Sequence, residues 1–156
     1  MAFLRRSEAA SPDDLAEVRR LCNTYAKSLE IRLGFQNFDQ ELAGLPGTYA
    51  PPAGCLFLAE FDGIAGGCVA LRPLQNQACE RKRLFIEPDY RGTGGGRLLA
   101  LTVTANAKAL GYRAIRLDTV PSMAAAIQIY ESLGFQSIEP YCENPVPGAL
   151  FLECKL

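Results

Sequence analysis

Residues 91–97 read Arg91-Gly92-Thr93-Gly94-Gly95-Gly96-Arg97, and four glycines in five positions cannot form the interior of a helix or a strand. Before them runs the apolar stretch Leu84-Phe85-Ile86, closed by Glu87-Pro88-Asp89, and after them comes a long segment with helical apolar spacing as far as Leu110. The chain must therefore pass from strand to helix through a tight turn. At such a point the free N–H groups of the helix start and the helix dipole favour an anion. Glycines let the backbone approach that anion closely and adopt positive φ. Two nucleotide-binding patterns fail here. The dinucleotide pattern G-x-G-x-x-G begun at Gly92 needs a glycine where Arg97 stands, and G-x-x-x-x-G-K-[ST] is absent.

The rest of the chain supplies a mixed α/β plan. A short strand is expected near Phe3 to Arg6, and Ser11-Pro12-Asp13-Asp14 has the cap, first-turn proline and acids of a helix start. Leu15, Val18, Cys22, Tyr25 and Leu29 recur at helical spacing behind it. The proline- and glycine-rich segment from Gly44 to Gly54 reads as a loop. Cys55 to Phe61 and Ile64 to Leu71 flank Asp62-Gly63, a strong hairpin signal, and a third antiparallel strand runs from about Cys79 to Ile86. The helix from Gly94 to Leu110 carries Leu98, Leu101, Ala105 and Ala109 on one face and stops at Gly111. A strand over Arg113 to Thr119, a helix over Ser122 to Leu133 ended by Gly134, and a last strand over Leu150 to Lys155 follow. One domain over residues 1–156, with helices covering a mixed sheet, is the expected fold.

Composition narrows the chemistry. There is no histidine, which removes Ser-His-Asp and Cys-His catalysis and leaves carboxylate, tyrosine, lysine or backbone groups. Six cysteines without a C-x-x-C pair make a zinc site improbable, so no metal is expected, and the thiols read as small buried hydrophobes. No apolar run reaches membrane-span length and no secretory signal is visible, so a cytoplasmic protein without a membrane partner is expected. A net charge of −1 and a pI near 5.5 argue against nucleic acid.

Three motifs in order carry a family resemblance. Arg91 to Gly96 matches R-x-x-G-x-G, Arg83 to Pro88 looks like the strand that feeds it, and Ala125 to Phe135 contains A-x-x-x-Y-x-x-x-G-F. Over roughly residues 78–136 the chain thus resembles the GNAT superfamily of acetyl-CoA-dependent N-acetyltransferases. The resemblance implies that Arg91, Gly92, Thr93, Gly94, Gly95, Gly96 and Arg97 hold the pyrophosphate of acetyl-CoA. It also implies that the strand stretch Leu84-Phe85-Ile86 pairs with the pantetheine amides, as a peptide adds to a sheet edge.

By the same resemblance Tyr130 protonates the departing thiolate, although its position among Ile127 and Leu133 also suits core packing. Glu80 is the candidate base, with structural ion pairing to Arg81, Lys82 or Arg83 as the competing role. Met123 stands where the family often has an asparagine, so that contact to the pantetheine arm is absent or replaced. The implied activity is acetyl transfer to an amine; a non-catalytic acyl-CoA-binding or sensor domain is the alternative. The acceptor pocket is expected around Leu29 to Gln36 and the loop to Pro52, and the acidic pI favours a cationic acceptor. Oligomeric state is open, and a homodimer is among the assemblies the sequence admits.

Overall fold

Ser11 caps the first helix as its side chain requires. The computed structural model describes residues 4–28 and 38–156. In it, Ser11 Oγ accepts the Asp14 N–H at 3.1 Å, while Asp14 Oδ2 accepts the Ser11 and Ala10 N–H groups at 3.3 and 3.2 Å. These bonds satisfy orphan donors at the helix start and hold the Asp14 carboxyl below its ordinary pKa, with the Ala10 bond the largest cause.

The elements are β1 (Leu4–Glu8), α1 (Pro12–Ser28), α2 (Phe38–Ala43), β2 (Cys55–Phe61), β3 (Ile64–Pro73), β4 (Ala78–Ile86) and α3 (Gly95–Ala109). After them come β5 (Ala114–Thr119), α4 (Ala124–Ser132), β6 (Gln136–Ser137) and β7 (Leu150–Lys155). They build a seven-stranded sheet in the order β1-β2-β3-β4-β5-β7-β6. Neighbours are antiparallel except β4 and β5, which are parallel. The mixed, mostly antiparallel sheet flanked by helices is the fold the sequence implied. The segment after Gly44 is less irregular than its prolines suggest, since Gly47–Tyr49 forms a single 3-10 turn with Tyr49 buried. The first strand runs Leu4–Glu8, and the expected positions Phe3, Leu29 and the Leu29 to Gln36 stretch lie outside the described residues.

Side-chain alternation along β2 sorts the core into two layers. Phe57, Ala59 and Phe61 join Leu99, Val103, Ala107, Tyr130 and Phe135 on the α3 side, whereas Leu56 and Leu58 join Val18, Leu21, Phe38, Leu42 and Phe85 under α1 and α2. Helix α3 presents a different face from the one its leucines suggest. Gly95, Leu99, Ala100, Thr102, Val103 and Ala107 are buried, while Leu101 is 46% exposed and Ala105 and Ala109 face solvent. The helix is apolar nearly all round, so periodicity does not choose the inner face. Packing at its first residue does: a Cβ on Gly95 would lie 2.8 Å from Phe61 Cζ, so backbone meets ring directly there.

Strand β4 contains a bulge. Cys68 and Ala70 of β3 pair with Phe85 and Lys82, so three steps on β4 oppose two on β3. Arg83 absorbs the extra residue with φ +59°. The bulge resets side-chain parity, which puts Leu84 in the α3-side core and Phe85 in the α1-side core. Arg83 itself reaches Glu41 of α2, at 2.8 and 3.1 Å, and lies over the Phe38 ring.

Candidate active site

Strands β4 and β5 pair over three residues only, Ala78 to Glu80 against Ala114 to Arg116. Beyond Glu80 the two strands part, and β4 continues to Ile86 with no β5 partner. A free strand edge is thereby left facing a gap, with N–H and C=O groups available to an extended ligand. The gap leads to a cavity of about 480 Å³ lined by Leu84 to Ile86, by Tyr90 to Gly92 and Gly94 to Arg97 of the turn, and by Ser122 to Ala126 and Ile129.

The glycine turn closes one end of this cavity. Gly92 and Gly94 have φ of +79° and +90°, and Gly94 is the residue from which α3 starts. Leu98 is the first residue of α3 to bond back, to the Gly94 carbonyl at 2.9 Å, so the preceding N–H groups remain free for an anion. Arg91 folds back on its strand, donating to the Ile86 carbonyl at 3.0 Å, with its guanidinium over Phe85. Arg97 donates to Ser132 Oγ at 2.9 Å and so ties α3 to α4. Thr93 donates its hydroxyl to the Tyr90 carbonyl. All of the sequence-derived binding residues except Thr93 line the one cavity. Met123 lines it too and leaves α4 without a side-chain cap, but the adjacent Ser122 brings a hydroxyl to the same wall.

Neither Tyr130 nor Glu80 is among the residues that line this cavity. Tyr130 is 2% exposed and packs against Phe135, with the Arg81 guanidinium 4.9 Å from its ring centre. Burial pushes its phenol up to about 12, against the opposing pull of Arg81. It is therefore a protonated hydroxyl throughout the neutral range. Glu80 is fully buried on the other face of β4. Its Oε1 accepts from Arg72 at 2.7 Å and its Oε2 from the Tyr141 hydroxyl at 2.7 Å, so its ion partner comes from β3 and not from its own strand.

Sequence reasoning did not find several groups around this point. The carboxylates of Glu80 and Asp118 and the Cys142 thiol lie within 4.8 Å of one another. Asp118 accepts from Asn144 Nδ2 at 3.1 Å. Glu80 and Asp118 each have partners outside the trio, Arg72 and Tyr141 for the former and Asn144 for the latter. Cys142 is exposed, unlike the four buried thiols, and burial of its sulfur and the nearby carboxylates push it up to about 11, which keeps it protonated. The signal for this region was the run Glu80-Arg81-Lys82-Arg83 inside a strand that is otherwise apolar.

Arg81 and Lys82 are 7% and 6% exposed. Arg81 Nε is buried without a hydrogen-bond partner, and among the described residues no carboxylate lies within 4.0 Å of either cation. The Tyr130 ring offsets part of the cost at Arg81, about 2 kcal/mol or more for a desolvated pair, whereas burying a charge costs several kcal/mol. Burial accordingly holds the Lys82 ammonium below its ordinary pKa despite Glu80 and Asp118 nearby.

Known proteins match this arrangement. The model of the Acetyltransferase (GNAT) domain matches residues 52–137. An uncharacterised N-acetyltransferase of Schizosaccharomyces pombe is 36% identical over 93% of this chain and 90% of its own. Another, from Dictyostelium discoideum, is 29% identical over 90% of this chain and 94% of its own. Among solved structures, an acetyltransferase of the GNAT family from Staphylococcus aureus superposes with a TM-score of 0.80 over 98% of this chain and 99% of that one, at 20% identity. The Salmonella typhimurium protein yncA, solved with its cofactor acetyl-CoA, superposes with a TM-score of 0.74 over 97% and 93%, at 18% identity.

Proposed function

Because the chain belongs to the GNAT acetyltransferase family, we propose that this acetyl-CoA-dependent acyltransferase acetylates an amine by direct attack within a ternary complex. The observation that carries the proposal is the continuous path from the free edge of β4, along the cavity, to the glycine turn at the start of α3. An extended pantetheine arm suits the Leu84 to Ile86 edge, and a pyrophosphate suits free N–H groups at a helix N-terminus. Ser122 is the polar group best placed to serve where Met123 replaces the family's usual asparagine.

In the reaction the amine nitrogen attacks the thioester carbonyl carbon and a C–N bond forms. The C–S bond breaks with its electron pair leaving on sulfur, and Tyr130 supplies the proton that sulfur takes up. A phenol held near 12 keeps that proton until charge develops on the leaving group. The proton lost by nitrogen goes to Glu80, with Asp118 alongside it to share the charge. Glu80 is held in place for this by Arg72 and by the Tyr141 hydroxyl.

Coupled measurement of thiol release and acetyl-CoA binding tests the function. The enzyme releases thiol only when an amine is present; a chain that binds acetyl-CoA and releases none with any amine is the sensor domain instead.

A further inference from the structure

The acceptor is the part of the reaction that the fold leaves unassigned, and buried charge speaks to it. Arg81 is the first β4 residue past the last β4–β5 pair, Glu80 opposite Arg116, and Lys82 follows it. Both therefore stand at the head of the gap, on the two faces of one strand. Their burial is nearly complete, Arg81 lies against Tyr130, and among the described residues neither donates to a carboxylate.

Neighbouring cations are accounted for in a way these two are not. Arg72 is paired with Glu80, Arg83 with Glu41, and Arg116 with Glu153. Asp118, bonded to Asn144, has among the described residues no cationic partner within 4.0 Å, against two cations. Among the described residues the gap thus carries an excess of positive charge, inside a chain whose net charge is −1. A buried guanidinium with an unused donor is a strong site for a carboxylate, because pairing there removes a desolvation cost already present in the free protein. Two carboxylates, Glu80 and Asp118, sit beside the cations and suit the amino end of the same ligand.

We propose that the acceptor is an amine that itself carries a carboxylate, of the amino-acid class, whose carboxylate is drawn to Arg81 while its amine faces the Glu80 and Asp118 side, with Lys82 adding to the positive field at the head of the gap. The proposal rests on the acetyl-transfer function given above and names its substrate class. It reverses the expectation from the acidic pI, since the charge near the transferred group differs in sign from the charge of the whole chain.

The test uses the full chain at saturating acetyl-CoA and follows thiol release with free L-amino acids, their carboxamides, and alkylamines, at a pH where each amine is largely unprotonated. The best amino acid should exceed its carboxamide in kcat/KM by roughly 10- to 150-fold, the range for hydrogen bonds to a charged group. Arg81→Gln and Lys82→Met should each bring that ratio down by about tenfold, with acetyl-CoA titration of each variant verifying a folded protein. If Arg81→Gln does not fold, the parental ratio and Lys82→Met, on the other face of the strand, decide the matter. Equal use of carboxamides or alkylamines, or a ratio unchanged in the folded variants, overturns the proposal and leaves acetyl transfer standing. Absence of acetyl-CoA binding, or of thiol release with every amine, overturns the underlying function as well.

Discussion

Replacing Gly94 by valine adds a side chain to a residue that lines the cavity and from which α3 starts. Gly94 has φ +90° and ψ 2°, a backbone conformation that costs an L-residue about 1 to 2 kcal/mol and a β-branched one more. A Cβ built there meets nothing within 4 Å, so steric conflict with the protein adds nothing and the cost is backbone strain. At this chain length each kcal/mol moves the melting temperature by roughly 2 to 4 °C. The variant should therefore fold and melt about 2 to 8 °C lower. If the turn holds the pyrophosphate as proposed, the added side chain hinders its approach to the free N–H groups. Losing one backbone bond to a charged group there should weaken acetyl-CoA by about 10- to 150-fold. Calorimetric titration beside a thermal melt reads both quantities. A folded Gly94→Val protein that binds acetyl-CoA with parental affinity would refute the assignment of the turn.

Other residues carry separate expectations. Tyr130→Phe should preserve the fold and acetyl-CoA affinity while lowering kcat by roughly 10² to 10⁴; equal kcat, with chemistry shown to limit the rate, returns Tyr130 to packing. The same phenol predicts a pH effect on stability. Its folded pKa of about 12 exceeds the unfolded value of about 10, so the folded chain keeps a proton that the unfolded chain loses. Stability should fall as pH rises from about 10 to 12, and denaturant titrations should show that slope reduced by one proton in Tyr130→Phe. Glu80→Gln should cost about 1 to 3 kcal/mol through the Arg72 partner it strands. If Glu80 is the base, kcat/KM should also drop, and the drop should shrink as pH nears the amine's own pKa; a pH-independent, near-parental rate removes it from the chemistry. Leu99→Ala should cost about 2 to 5 kcal/mol and Leu101→Ala under about 0.5 kcal/mol, because only the former is buried; the reverse order in melts would restore the face suggested by the leucine spacing.

How far the sequence could be read follows from where the information is local. The Asp62-Gly63 hairpin, the Ser11 cap and the strand Leu150–Lys155 depend on neighbours in sequence, and each was legible. The inner face of α3 depends on Phe61 and Ile86 meeting Gly95, a contact between distant segments, and the apolar ring around the helix concealed it. Helix α2 and the two-residue β6 are too short to show a period. The turn from Arg91 to Arg97 was legible because its glycines act through their own backbone. Glu80 was legible as a strand carboxylate, a base or a structural ion pair, but its partner was not, since Arg72 and Tyr141 come from β3 and from the segment before β7. The bulge at Arg83 left no mark beyond four charges in a strand, yet it sets which side chains reach each face of the sheet.

The most direct measurement follows an acetyl group carrying a carbon label from acetyl-CoA in the presence of a carboxylate-bearing amine and of amines without one. Label should appear on the amine nitrogen in step with thiol release and depend on Tyr130. Label that stays on the coenzyme while calorimetry shows acetyl-CoA bound would contradict the account and make the chain a binding domain.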